Sequence, residues 1–115
     1  MMSEPFRIAG RAGAKGNVHI LSVRGAFTNA TSPAFDEAAR AANAKHLILD
    51  LSEVPAIDSM AIGSLVRAYV SCNKTGRKLA LVGLSHHVKN VLRMTGVAPL
   101  FETYTSVAEA EAALS

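Results

Sequence analysis

Residues 50–63 read Asp50-Leu51-Ser52-Glu53-Val54-Pro55-Ala56-Ile57-Asp58-Ser59-Met60-Ala61-Ile62-Gly63. The stretch leaves a compact apolar run, His46-Leu47-Ile48-Leu49-Asp50-Leu51, of the kind expected of a central buried strand. It crosses a short loop containing Pro55 and enters a helix at Asp58 and Ser59. Behind that entrance Ile62, Leu65, Val66, Tyr69 and Val70 repeat at helical spacing. Gly76 marks the helix end.

Upstream, Phe6 to Ala9 forms a short alternating segment and Val18 to Val23 a clearer strand. Ala12-Gly13-Ala14-Lys15-Gly16 supplies the small residues of a hairpin loop between them. Ser32 followed by Pro33 reads as a helix N-cap with proline at the first helical position. That helix runs to about Ala42, with Phe35, Ala38, Ala39 and Ala42 on one face. Downstream, Lys78 to Val82 is a second buried strand. Ser85 caps a third helix with Val88, Val91 and Leu92 inward, closed by Gly96. Leu100 to Tyr104 forms a last strand and Ser106 to Leu114 a final helix. Strands that alternate with helices argue for an α/β domain with a mixed central sheet of about five strands, begun by an antiparallel hairpin, and about four helices. Periodicity alone assigns the helices to neither face.

The chain has 115 residues, enough for one domain over 1–115 with a core of about 6–114. Half of it is hydrophobic, but only 5% is aromatic and there is no Trp, so the core is aliphatic. The net charge is +3, with basic residues scattered from Arg7 to Arg93 and densest in the loop from Lys74 to Lys78. Nucleic-acid binding calls for a basic stripe with stacking aromatics, which this pattern lacks. One cysteine, Cys72, excludes an internal disulfide and a multi-cysteine metal site. Its place in a helical pattern suits a small buried hydrophobe. Met1 to Arg11 lacks the apolar stretch of a signal peptide, and no apolar run approaches the roughly 20 residues that cross a bilayer. The expected compartment is the cytoplasm, without direct membrane insertion.

No pattern argues for catalysis. His19 lies in a strand, His46 begins one, and His86 and His87 are adjacent in a helix's first turn, where they diverge rather than chelate. All four are expected to be exposed or partly exposed. Asp36 and Glu37 suit the first turn of a helix, and Glu109 and Glu111 a solvated one. Asp50 ends a buried strand, a position that often carries function in α/β sheets, yet it has no catalytic partner nearby in the sequence. Gly10, Gly13 and Gly16 lie in a hairpin with no helix after it, so they match no phosphate-binding loop. No cofactor is implied.

Asp58 and Ser59 fall where unpaired backbone N–H groups want an acceptor. One of the two can be a simple N-cap. The same geometry suits a phosphoserine, because a phosphate there carries about −1.5 to −2 charges and faces the positive helix end. Helical spacing places Met60, Ser64, Arg67 and Ser71 on the face opposite the core, with Met60 an exposed apolar candidate. Gly63 fits either close approach of a partner or tight internal packing.

The stretch from Leu47 to Gly63, followed by Leu79-Ala80-Leu81-Val82, Val88-Lys89-Asn90-Val91-Leu92 and Thr95-Gly96-Val97, resembles the STAS domain. It is especially similar to single-domain bacterial anti-sigma-factor antagonists, over Phe6 to Leu114. The resemblance implies helices packed mainly on one side of the sheet, and a switch of partners. The unphosphorylated antagonist binds an anti-sigma factor that is also a serine kinase, and so releases a sigma factor. Phosphorylation breaks that complex and a serine phosphatase resets it. On this sequence the resemblance makes Ser59 the phosphorylated residue. It places Asp58, Met60, Gly63, Ser64 and Arg67 at the partner surface.

Two positions depart from the family pattern. The loop Gly25-Ala26-Phe27-Thr28-Asn29-Ala30-Thr31 lacks the acid often found there and offers Thr28 and Asn29 instead. Met60 stands where a small or hydroxylated residue is frequent. The alternative is a STAS scaffold or regulatory subunit of a stress-sensing assembly or of a membrane-transport complex, with no sigma-factor partner. An exposed apolar patch beside Ser59 would serve a homodimer as well as another partner.

Overall fold

Strands and helices alternate in the computed structural model, which describes residues 6–14, 16–42 and 44–114. In chain order they are β1 (Arg7–Ala12), β2 (Val18–Arg24), α1 (Ser32–Ala41), β3 (His46–Glu53), α2 (Ser59–Lys74), β4 (Lys78–Val82), α3 (His86–Met94), β5 (Glu102–Tyr104) and α4 (Val107–Leu114). β1 and β2 form the antiparallel hairpin, and β2, β3, β4 and β5 are parallel to one another. Their order across the sheet is β1-β2-β3-β4-β5, the order of the sequence.

That order decides where the helices go. Each crossover from a strand to its parallel neighbour is right-handed by the sterics of twisted strands. Three crossovers stepping in one direction across the sheet must therefore leave α1, α2 and α3 on one face. The core agrees. Leu21, Val23, Leu47, Leu49, Leu51, Leu79 and Leu81 pack on that face against Phe35 of α1, Ala61, Leu65 and Cys72 of α2, and Val88 and Leu92 of α3. The alternate residues Val18, Ile20, Ile48, Ala80 and Val82 point the other way and are covered by Ala110 and Leu114 of α4. β3 lies at the centre, which is why its sequence is an apolar run rather than an alternation.

Several local expectations shift. β1 begins and ends later than Phe6 to Ala9, and Lys15 of the hairpin loop lies outside the described residues. α1 is capped by Thr31, not Ser32. The Thr31 side chain makes no capping hydrogen bond to the helix, and Ser32 is buried inside the first turn. Pro99 sits in a short 3₁₀ turn over Ala98–Leu100, which delays β5 to Glu102. Ser85 caps α3 as expected, its Oγ accepting from the Val88 amide at 3.1 Å. Glu111 is not simply solvated, because its Oε2 accepts from the Ala14 amide at 3.0 Å and ties α4 to the β1–β2 hairpin. Burial raises the Cys72 thiol above its usual range, as suits a packing residue.

His46 corrects the expectation that the histidines are exposed. It is 6% exposed, and its Nδ1 accepts from the Lys78 amide at 3.1 Å. Burial, then Lys45 and Lys78, lowers its pKa from the usual 6.5. A histidine held neutral in the fold contributes stability above its unfolded pKa, and that contribution is lost as pH falls through this range. Denaturant titrations at pH 7.5 and pH 5 should show wild type losing stability on acidification. His46→Asn, which keeps an acceptor near Nδ1, should lose less. An equal loss in both would remove His46 as the cause.

Candidate functional site

The loops that leave β2 and β3 lie side by side at the same end of the sheet, because the two strands are parallel neighbours. Parallel α/β sheets commonly build sites at this end. The loops are joined by backbone. The Gly25 amide donates to the Glu53 carbonyl at 3.0 Å, Phe27 to Ala56 at 3.0 Å, and Asp58 to Phe27 at 3.2 Å. Arg24 clamps the strand ends through Glu53 at 2.7 Å. Beneath them Phe27 is fully buried, with ring centroids 4.9 Å from Phe35 and 6.0 Å from Phe6.

Asp58 is the N-cap of α2. Its Oδ1 accepts from the Ala61 amide at 3.0 Å, and its Oδ2 from the Asn29 amide of the neighbouring loop at 2.9 Å. The Ala61 amide, with those of Asn29 and Met60, outweighs partial desolvation and holds the carboxyl below its usual 3.8. The carboxylate thus fastens the two loops together as well as starting the helix. Thr28 and Asn29 act here mainly through their main chain. The Thr28 amide donates to Thr31 Oγ1 at 2.9 Å, and the Asn29 side chain stays exposed.

Because Asp58 carries the capping, the hydroxyl of Ser59 is spared. Ser59 is exposed at the first helical position, and its side chain makes no hydrogen bond with a described residue. Met60 beside it is 51% exposed. The other expected residues are less alike. Ser64 is 0% exposed, not on the solvent face. It points into the seam between α1 and α2, where its Oγ accepts from Arg67 Nη2 at 3.0 Å. The same Nη2 reaches Asp36 Oδ2 of α1 at 2.9 Å. Val70, expected in the core, is 43% exposed. A Cβ at Gly63 would meet Arg67 Nη1 at 3.3 Å, a close contact that the end of this flexible side chain can relieve by a small shift. The Arg67–Asp36 pair is half exposed on its arginine side, where such pairs contribute about 0–1 kcal/mol.

Two residues here are invisible to motif reading. Asp36, read as a first-turn acid, is the ion-pair partner of α2. Phe27, an aromatic in an otherwise small and polar loop, is the anchor of the site, and that contrast in composition is the signal that could have marked it. Among the described residues no three His, Cys, Asp or Glu side chains converge as metal ligands, and no helix is long and apolar enough to cross a membrane.

Removing the Asp58 carboxylate tests its double role. Asp58→Ala should lower Tm by several degrees at neutral pH, through the lost cap and the lost tether to Asn29. A carboxyl with a depressed pKa stabilises above its unfolded value and stops doing so as pH falls through its folded one. The Tm gap between wild type and Asp58→Ala should therefore close toward pH 3. A gap that persists in acid would assign the loss to something other than the carboxylate charge.

Comparison with known proteins places this geometry in a family. The family model described as the STAS domain matches residues 11–110. A Thermotoga neapolitana protein named as an anti-sigma factor antagonist homolog is 33% identical over 64 residues, which are 56% of this chain and 57% of that protein. The match thus spans a little over half the relative's length. An anti-sigma factor antagonist from Mycobacterium paratuberculosis superposes with a TM-score of 0.87 at 23% identity, over 98% of each chain. A sulfate transporter family protein from Wolinella succinogenes does so with a TM-score of 0.78 at 22% identity, over 90% of this chain and 88% of the other. At these identities the two structures share the fold. With the five-stranded sheet in place and the family model matched across most of the sequence, the chain belongs to the STAS domain family.

Proposed function

We propose that the protein is a phosphorylation-controlled anti-sigma-factor antagonist acting in the cytoplasm, a binding module rather than an enzyme. Unphosphorylated, it docks an anti-sigma factor with serine kinase activity through Ser59, Met60 and the adjoining β2–α1 loop. The kinase moves the γ-phosphoryl group of ATP to Ser59 Oγ. The hydroxyl proton passes to the kinase's base and ADP leaves. The new dianion stands beside the exposed Met60 and must be desolvated for the contact to persist, which weakens it. A serine phosphatase restores the hydroxyl.

The observation that carries this reading is the division of labour at the start of α2. Asp58 caps the helix, so Ser59 is left exposed with its hydroxyl unused. A serine needed as a cap would be inward and engaged. The test is mass spectrometry of the protein isolated from its host across growth and stress conditions. One phosphate on the Ser59 peptide, and on no other serine, is expected. Its consistent absence would favour the second reading, a STAS scaffold or regulatory subunit. That reading is supported by the structural likeness to a sulfate transporter family protein.

A further inference from the structure

α1 and α2 both start at the end of the sheet that carries Ser59 and run toward the opposite end. The bonds of Arg67 to Ser64 and Asp36 clasp them together near their middles. Beyond that clasp they border a groove of about 460 Å³, a volume in the range of small-molecule sites. Leu47 of β3 with Ala68 and Cys72 of α2 form its buried part, and Ala39 of α1 and the exposed Val70 of α2 stand on its walls. Arg40, four residues after Asp36, and Lys74, seven after Arg67, follow the same helix sides to the far end. Arg77 stands there too. Its Nε donates to Thr75 Oγ1 at 3.0 Å and its Nη1 to the Ala44 carbonyl at 3.3 Å, so the guanidinium bridges the end of α2 and the loop before β3. Its Nη2 bonds no described residue. Among the described residues that line the groove Asp36 is the only acid, and Arg67 already engages it. Arg40, Lys74 and Arg77 pair with no described acid.

We propose that this groove binds an anionic amphiphile, a free long-chain carboxylate. Its acyl tail lies between α1 and α2, and its carboxylate meets Arg77 with Arg40 and Lys74 beside it. Charge complementarity selects the head group, because the cations gather at one end of an otherwise mostly apolar groove. Arg77 is held by its two existing bonds, and a guanidinium binds carboxylate through charge-assisted hydrogen bonds. The lining argues against other ligands. An extended peptide needs backbone partners, and the walls are helices whose amides and carbonyls bond internally. A nucleotide or a sugar needs polar partners along its length, and Ser64 is already committed to Arg67. An acyl tail asks only for apolar surface, and it covers Val70, which the fold leaves 43% exposed. The groove lies away from the start of α2, so this binding does not depend on the state of Ser59.

The test titrates the full chain, labelled with nitrogen-15, with dodecanoate below its micellar concentration and follows the backbone amides by NMR. Saturable shifts centred on Ala39, Arg40, Val70 and Ser71 are expected. Dodecylammonium, which has the same tail and the opposite charge, should bind at least tenfold more weakly. Decanoate should bind several-fold more weakly than dodecanoate, since each methylene of the tail is taken from water. Arg77→Gln should lose about tenfold for dodecanoate and little for the uncharged alcohol dodecanol, a difference that partial unfolding does not produce. Ser71→Trp, which fills the groove from an exposed position, should abolish binding of both. Melting curves verify that each variant is folded. Equal affinities of the wild type for dodecanoate and dodecylammonium would overturn the proposal, as would shifts that do not saturate or that lie outside the groove. Binding to vesicles of an anionic phospholipid without binding of dodecanoate would also overturn it, and would assign this face to a membrane surface.

Discussion

Phe27→Ala should remove about 3–5 kcal/mol of stability, the usual cost of emptying a buried phenylalanine site. Domains of this size have about 5–15 kcal/mol in total. The variant should therefore melt on the order of 15 °C lower, or fail to fold at physiological temperature. The size of the effect follows from position. Phe27 is 0% exposed although it lies in a loop, and its ring fills the space between Phe6 and Phe35. Its own amide and carbonyl carry two of the bonds that join the β2–α1 loop to the β3–α2 loop. A cavity there would loosen the floor of the site as well as the core. Phe27→Leu, which keeps most of the volume, should cost clearly less. Chemical denaturation of the two variants checks this. A Phe27→Ala protein within a few degrees of wild type would show that the neighbouring side chains collapse into the gap, and that the loop does not depend on the ring.

Ser59→Asp should weaken binding of the anti-sigma partner by tenfold or more while leaving Tm nearly unchanged. Tenfold corresponds to about 1.4 kcal/mol. The cost of desolvating a carboxylate at the edge of a contact readily exceeds that. The fold tolerates the same charge for two reasons. Position 59 is exposed, and an acid in the first turn interacts favourably with the helix dipole, against a modest repulsion from Asp58. Ser59→Ala should bind like the unmodified protein and no longer respond to the kinase. Isothermal titration against the purified partner, with melting curves for each variant, separates the outcomes. Equal affinity of Ser59→Asp and wild type would place the docking surface elsewhere. A fall of ten degrees or so in Tm would make Ser59 structural.

The order of elements was legible because each carries its own punctuation. The apolar run of β3, the Ser85 cap, and Gly76 and Gly96 at helix ends are local signals, and the structure uses them as read. What lay beyond reach depends on residues far apart in sequence. Ser64 is polar and lies opposite the apolar repeat that begins at Ile62, so sequence reading assigns it to solvent. The approach of α1 buries it. Val70 fits the apolar repeat, but nothing packs over it closely enough to cover it. His46 looks like a polar strand end until β4 arrives beside it and supplies the Lys78 amide. The choice between Asp58 and Ser59 as cap needed the Asn29 amide from the preceding loop, which only the parallel pairing of β2 with β3 brings near. Which face the helices take follows from strand order, a property of the whole sheet.

That strand order also bears on synthesis. Because the sheet is laid down in the order of the sequence, each strand leaving the ribosome finds its neighbour already made. β1 through α2 contain both loops, Asp58, Ser59, Arg67 and Asp36, and they emerge first. β5 and α4 come last and bring the cover for Val18, Ile20 and Ile48. A nascent chain therefore holds its recognition end before its back face is sealed. The interval between the two is when it most needs shielding from aggregation.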